Sequence, residues 1–176
     1  MKTIGLIGGM SWESSLEYYR VINEEMKRRL GGLHSAKSLM YSVDFAEVEE
    51  MQHKGEWDKA TALMVQAAKN LENGGADFIV ICTNTMHKMA DDIQNAVSIP
   101  VLHIADPTAE AIKAKGLTKI ALLGTKYTME QDFYRGRLIE KHGLEVLITE
   151  DDERQTVHDV IYDELCLGVI KEKKKK

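Results

Sequence analysis

The sequence predicts an α/β fold with a parallel sheet flanked by helices, in which a first domain is complete and a second, similar domain is incomplete. Short apolar runs alternate with longer segments of helical periodicity, as is typical of parallel sheets with helices on both faces. The length of 176 residues allows one or two domains with a real core. Two segments of the second half also repeat a pattern from the first half, which favours a duplicated unit.

The first half contains four predicted strands and three predicted helices. The strands are short apolar runs bounded by polar or glycine positions, at 4–7, 38–43, 78–81 and 100–102. The helices are the longer periodic segments between them, at 12–30, 57–73 and 85–96. In the second of these, Leu63, Ala67 and Leu71 share one face, and Asn73-Gly74-Gly75 predicts its C-terminal cap.

The second half continues the same alternation. A helix at 107–115 ends at Gly116 and is followed by a strand at 120–123. A helix at 130–142, a strand at 144–148 and a helix at 153–167 complete the predicted elements.

The internal repeat defines the predicted domain organisation. The run 4–8 matches 120–124, and Tyr18-Tyr19-Arg20 matches Phe133-Tyr134-Arg135, at offsets of 116 and 115 positions. Two matches at nearly one offset favour a duplicated half more than one match would. We therefore expect a first α/β domain over 1–103 that carries Cys82, a partial second domain over 104–170 and a lysine-rich tail over 171–176.

Composition and charge exclude several classes of protein. Apolar residues make up 44% and charged residues 29%, as in ordinary globular domains, and the net charge of -5 argues against a nucleic-acid partner. The longest apolar run, 78–82, is too short to span a bilayer, and the first residues do not resemble a signal peptide. Two cysteines without a framework spacing favour a reducing compartment, so a cytoplasmic location is expected.

Cys82 lies in the most informative stretch of the chain. An apolar strand ends at this residue, and Thr83, Asn84 and Thr85 follow it before a predicted helix. Open α/β sheets bind ligands at the carboxyl ends of their strands, and a helix start lowers the pKa of a nearby thiol. The hydroxyl and amide groups are donors suited to a carboxylate. The alternative is a small core residue that finishes a buried strand, which is common for free cysteine.

Other polar positions carry weaker signals. Gly8-Gly9-Met10-Ser11 allows either close backbone approach to a ligand or a tight strand-to-helix turn, and it lacks the G-x-G-x-x-G spacing of dinucleotide sites. Thr125 lies in the equivalent loop of the second half. Gln52 is a surface residue on pattern alone, and Cys166 is interpreted as packing. The histidines and cysteines share no metal-ligand spacing, so no metal is expected, and without the dinucleotide spacing no cofactor is expected either.

The chain resembles the aspartate/glutamate racemases that work without pyridoxal phosphate. The motifs that carry the resemblance are 4–10, 82–87, 121–125 and the longer run 127–136. The resemblance implies two similar α/β domains with one cysteine each, and it implies that Cys82 is one of two thiol acid–base groups. It also implies that substrate contacts come from a set of polar and sulfur-containing side chains: Met10, Gln52, Thr83, Asn84, Thr85 and Thr125.

One family motif has no match in this sequence. The second cysteine of these racemases lies in a Gly-Cys-Thr-Glu motif, and the repeat offset would place a counterpart of Cys82 beyond Lys176. We therefore expect a truncated chain that racemises aspartate or glutamate poorly or not at all, and that forms a homo-oligomer, most simply a dimer. The alternatives are a non-catalytic small-anion or amino-acid binding protein on the same scaffold and, with weaker support, a nucleotide-dependent enzyme.

Overall fold

A four-stranded parallel sheet forms the centre of the first half of the protein. The computed structural model describes residues 1–171. The strands are β1 (Ile4–Gly8), β2 (Ser38–Ser42), β3 (Phe78–Ile81) and β4 (Val101–Leu102), in the order β2-β1-β3-β4. All three pairings are parallel. The two inner strands, β1 and β3, therefore have a neighbour on each side, whereas β2 is an edge strand.

Helices connect these strands. They are α1 (Trp12–Leu30), α2 (Phe45–His53), α3 (Trp57–Asn73), a short 3-10 helix (Thr85–Met89) and α4 (Ala90–Ala96). The core lies where α3 covers the sheet, and it contains Ile7, Ile79 and Ile81 from the strands and Met64 from the helix. Small side chains on α3 and the bare backbone of Gly5 permit close packing, because a Cβ at Gly5 would lie 3.3 Å from the Cβ of Leu71 on α3.

The second half contains a smaller parallel pair of strands. Strands β5 (Lys119–Ala121) and β6 (Glu145–Leu147) pair in parallel, as β1 and β2 do. The helices are α5 (Ala105–Ala114), α6 (Lys126–Glu130), α7 (Arg135–Glu140), α8 (Asp151–Asp163) and a 3-10 helix (Leu165–Leu167). A separate apolar cluster includes Ala109, Leu138 and Val146.

Asp106 links three side chains within this second core. Its carboxylate accepts hydrogen bonds from Arg137 Nε at 2.7 Å and Nη2 at 2.8 Å, and it also pairs with Lys141 Nζ at 2.7 Å and His142 Nε2 at 2.9 Å. Arg137 holds the pKa of the Asp106 carboxyl far below its usual range. The network ties α5 to α7 and to the residues that follow α7.

The chain divides into two compact units, Met1–Leu102 and His103–Lys176. Residues 172–176 lie outside the described part, and this range includes most of the predicted lysine-rich tail at 171–176. No helix among residues 1–171 is both long and apolar enough to cross a membrane.

The predicted α/β class with parallel strands and flanking helices is confirmed, and all six predicted strands are present. The helices differ from the prediction in four places. The segment predicted at 85–96 begins as a 3-10 helix, and the one predicted at 130–142 is interrupted after Glu130, the last residue of α6, and resumes as α7. The segment predicted at 153–167 divides into α8 and a 3-10 helix, and α2 was not predicted. Gln131 explains the interruption, because its backbone is extended at φ -91 and ψ 152. Helix α2 is short, and only Val48 and Gln52 are buried on it, so its apolar periodicity is weak.

Candidate active site

Cys82 is anchored at the carboxyl end of the inner strand β3. Its backbone N–H donates to the carbonyl of Ile7 at 2.9 Å, which extends the pairing with β1 by one residue. The Cys82 carbonyl accepts a hydrogen bond from Ser14 Oγ at 3.5 Å, in the first turn of α1. The residue therefore lies where an inner strand, its neighbour and the first turn of α1 meet.

The thiol itself differs from the prediction. Cys82 is fully buried, and this burial raises the pKa of its thiol to about 12. The expected lowering of the pKa by a helix start is wrong, because burial removes the thiolate from water and raises the pKa instead. A five-residue 3-10 helix, Thr85–Met89, follows Cys82 in place of the predicted α-helix, and the group is a protonated thiol at neutral pH.

The three polar residues after Cys82 have different exposures. Thr83 is half-buried, Asn84 is exposed and Thr85 is buried. Their backbone is held by His87, whose Nδ1–H donates to the Thr83 carbonyl at 2.7 Å and whose backbone N–H donates to the Asn84 carbonyl at 3.1 Å. The ring of His87 is buried. The spacing of the histidines argued against a metal-ligand role for His87 and indicated no other role, although its position four residues after Thr83 is compatible with this contact.

Gln52 and Met10 both lie in the core of the first unit. Gln52 is only 6% exposed on α2, and its side-chain Nε2–H donates to Met86 Sδ at 3.2 Å. The interpretation of Gln52 as a surface residue is therefore wrong, because α2 turns this position inward. Met10 and Met86 belong to the same apolar cluster. Gln52 is thus connected to the segment that begins at Cys82.

The glycine loop after β1 is a strained strand-to-helix turn. Gly9 has φ +92, and a Cβ there would lie 2.1 Å from the Val43 carbonyl oxygen, so only glycine fits. Ser11 also has a positive φ of 101, which is rare for a residue with a side chain. Ser15 Oγ supports this turn, because it accepts from Gly9 N–H at 2.9 Å and donates to the Ser11 carbonyl at 3.1 Å.

Thr125 belongs to the second unit, where it caps α6. Its Oγ1 accepts from the Thr128 backbone N–H at 3.3 Å and lies 3.2 Å from Thr128 Oγ1. Cys166 is half-buried in the second 3-10 helix. The first unit thus brings Met10, Gln52 and the Cys82 segment together, whereas Thr125 and Cys166 lie on the other unit. Among residues 1–171, no group of three histidine, cysteine or acidic side chains is arranged to hold a metal ion.

Comparisons with known proteins identify the family of this chain. The family model for Asp/Glu/Hydantoin racemase matches residues 7–175. A proposed Asp/Glu racemase from Yersinia pestis has a crystal structure with a TM-score of 0.89 and 60% sequence identity, over 98% of this chain and 75% of that chain. An aspartate racemase homologue from Pyrococcus horikoshii OT3 has a TM-score of 0.79 and 38% identity, over 99% of this chain and 76% of that one.

A curated relative extends this comparison to a named activity. The broad specificity amino-acid racemase RacX of Bacillus subtilis is 28% identical over 163 residues, which cover 90% of this chain and 69% of RacX. The family match covers nearly the whole chain, and the Yersinia structure matches both in fold and in sequence. The chain therefore belongs to the Asp/Glu/hydantoin racemase family and is, by family, an amino-acid racemase, an isomerase.

Proposed function

We propose that this chain carries one half of a cofactor-independent racemase site for aspartate or glutamate, with Cys82 as one of two thiol acid–base groups. The observation that carries the proposal is the placement of Cys82 directly after the inner strand β3, bonded to β1 and to the first turn of α1. Ligand sites of parallel α/β sheets lie at this edge. The family match supports the reaction type.

The chemistry requires two groups on opposite faces of one carbon. A base removes the α-proton as the C–H bond breaks, and an acid on the other face delivers a proton that forms the new C–H bond. Since burial keeps the Cys82 thiol protonated, Cys82 is suited in this structure to the role of the acid. In the reverse direction the same sulfur has to act as the base, and this requires a lower pKa when the substrate is bound.

Recognition of the substrate is assigned to side chains around the Cys82 segment. Thr83 and Asn84 are accessible enough to donate to a carboxylate, whereas Met10, Gln52 and Thr85 are buried beside them. The assignment of Thr125 as a substrate contact stays a prediction. An acidic amino acid is favoured over other substrates because the Yersinia relative, at 60% identity, is described as an Asp/Glu racemase.

The role of Cys82 can be tested separately from that of the second thiol. The test follows racemisation and exchange of the α-proton for deuterium together, from both enantiomers of aspartate and glutamate. Cys82→Ala is the test variant and Cys166→Ala is its matched control. Exchange that disappears in Cys82→Ala and persists in Cys166→Ala supports the proposal. Racemisation that survives in Cys82→Ala contradicts it.

A non-catalytic binding protein is the second candidate, and the burial and raised pKa of Cys82 favour it. In that case the polar residues after β3 hold an amino acid or a small anion, and the thiol only packs. Calorimetric titration with aspartate separates the two functions. Binding without detectable α-proton exchange in the wild-type chain, unchanged in Cys82→Ala, favours the binding protein. The cytoplasmic location and the dimer remain predictions.

A further inference from the structure

Helix α8 is joined to α6 by three side chains on one of its faces. Arg154 Nη1 donates to Glu130 Oε1 at 3.0 Å, and Gln155 Oε1 accepts from Lys126 Nζ at 2.9 Å. His158, one turn further along, makes the third contact. None of the 13 residues of α8, all of which the structure describes, is buried. The position of α8 therefore depends more on these polar contacts than the position of a core helix does.

His158 makes its contact with α6 only in its neutral form. Its Nδ1 lies 3.3 Å from the backbone nitrogen of Lys126, the first residue of α6. A backbone N–H can only donate, so Nδ1 is the acceptor and carries no proton. The ring proton of the neutral form is therefore on Nε2. Protonation of Nδ1 would replace this hydrogen bond with a contact between two donors.

Two tyrosine rings pack against the same imidazole. Tyr127 of α6 meets it edge-on, with 5.8 Å between the ring centroids and 77° between the planes. Tyr162 of α8 lies 4.7 Å away at 42°. Burial lowers the pKa of His158 below its ordinary value of 6.5, because the charged ring loses hydration there.

The charged groups around this imidazole come from both helices and act in opposite directions. Lys126 opposes the imidazolium, whereas Asp159 and Asp163 of α8 and Glu130 of α6 favour it. Burial outweighs these carboxylates, so the pKa stays lowered. The neutral ring therefore prevails at pH 7. The stability that it provides is present above pH 6.5 and is lost as the pH falls below that value.

We propose that His158 is a pH-sensitive contact that holds α8 against the start of α6, independently of the chemistry at Cys82. The neutral ring accepts the Lys126 N–H and keeps the two helices together. When Nδ1 takes up a proton from solvent, the acceptor is lost and α8 separates from α6. The turn at the start of α6 contains Thr125, which caps this helix, so acid loosens that turn as well.

The first test is a titration of the wild-type chain from pH 8 to pH 5, followed by nuclear magnetic resonance of the imidazole nitrogens and the backbone amides. His158 Nδ1 is expected to be unprotonated at pH 8 and to titrate with a midpoint below 6.5. The Lys126 amide signal is expected to shift with the same midpoint. A protonated Nδ1 at pH 8 overturns the proposal, and so does a Lys126 amide that does not follow the ring.

The second test compares amide hydrogen exchange in α8 at pH 7.5 and pH 5.5, corrected for the intrinsic effect of pH. Wild type is expected to lose about fivefold protection at pH 5.5, as expected for one hydrogen bond. Carboxylates stay charged at this pH, so the pair between Arg154 and Glu130 persists. His158→Asn is expected to show no such loss, because its side-chain oxygen can accept the same N–H and does not titrate. His53→Asn, exposed on α2, is the matched control and should respond as wild type does. An equal loss in wild type and His158→Asn overturns the proposal.

Discussion

Gln52 and Met86 are joined by a hydrogen bond of 3.2 Å from the side-chain amide to the thioether sulfur. This contact connects α2 to the segment that follows Cys82 and crosses the core of the first unit. Both residues are buried, and because sulfur is a weak acceptor this contact contributes less than a hydrogen bond to oxygen would. The position of the Cys82 segment is therefore coupled to a helix that the sequence pattern did not reveal.

Truncation of Gln52 tests this coupling. We expect Gln52→Ala to lower the free energy of unfolding by about 1–3 kcal/mol, because it leaves a cavity and removes a buried polar contact. Gln66→Ala is the matched control on the exposed side of α3 and is expected to change stability by less than about 0.5 kcal/mol. Urea denaturation followed by circular dichroism measures both. Equal effects of the two substitutions would show that Gln52 is not a core contact.

The raised pKa of Cys82 predicts how fast the thiol reacts. In a Cys166→Ala background, alkylation of Cys82 by iodoacetamide is expected to be slow at pH 7 and to accelerate up to about pH 12. Cys82→Ala isolates Cys166 for comparison. A rate that reaches its plateau near pH 8 would show that the thiolate forms without the penalty of burial.

The same pKa shift has a consequence for stability. The folded protein holds the Cys82 proton more tightly than the unfolded chain, whose thiol has an ordinary pKa of 9.0. The stability that this provides is present below pH 9 and is lost as the pH rises toward about 12. The free energy of unfolding of wild type, relative to that of Cys82→Ala, should therefore fall as the pH rises over this range. A difference that is constant from pH 7 to pH 11 would contradict the shift.

Asp106 gives the opposite dependence of stability on pH. Its pKa lies below the ordinary value of 3.8 because Arg137 stabilises the charged form, so the resulting stability is present above that pH and is lost as the pH falls. We expect Asp106→Asn to cost about 1–3 kcal/mol at pH 7. This cost should shrink as acid protonates the wild-type carboxylate. Thermal melts from pH 7 to pH 2, with Glu110→Gln on the same helix as control, measure the effect.

The turn at Gly9 predicts that one added methyl group will strongly destabilise the folded protein. Gly9→Ala places a Cβ 2.1 Å from the Val43 carbonyl and is expected to prevent folding or to cost more than about 3 kcal/mol. Gly55→Ala is the control, since its φ is also positive, at +69, but its surroundings are open. That variant should cost about 1 kcal/mol. Similar melting temperatures for the two variants would show that the close approach to Val43 relaxes.

The sequence predicted the fold where apolar periodicity was strong. Each strand run, such as 78–81, has too few residues and too apolar a composition for an amphipathic helix, and α3 carries a regular apolar face. The prediction failed where local geometry outweighed periodicity, as at Gln131, whose extended backbone ends α6. The candidate site followed from the order of strand, cysteine and polar residues. The burial of Cys82 could not be read from that order, because it depends on side chains brought in by other elements.

The bond between Cys82 N–H and the Ile7 carbonyl has a consequence for how the reaction can change among relatives. It fastens the sulfur-bearing residue to the two innermost strands, where a shift of position would break the sheet. The backbone of Cys82 is thus held in place by the sheet. Under the proposed role of Cys82, a substrate would have to be brought to the sulfur by surrounding loops, and remodelling of those loops would change the substrate preference while Cys82 stays in place.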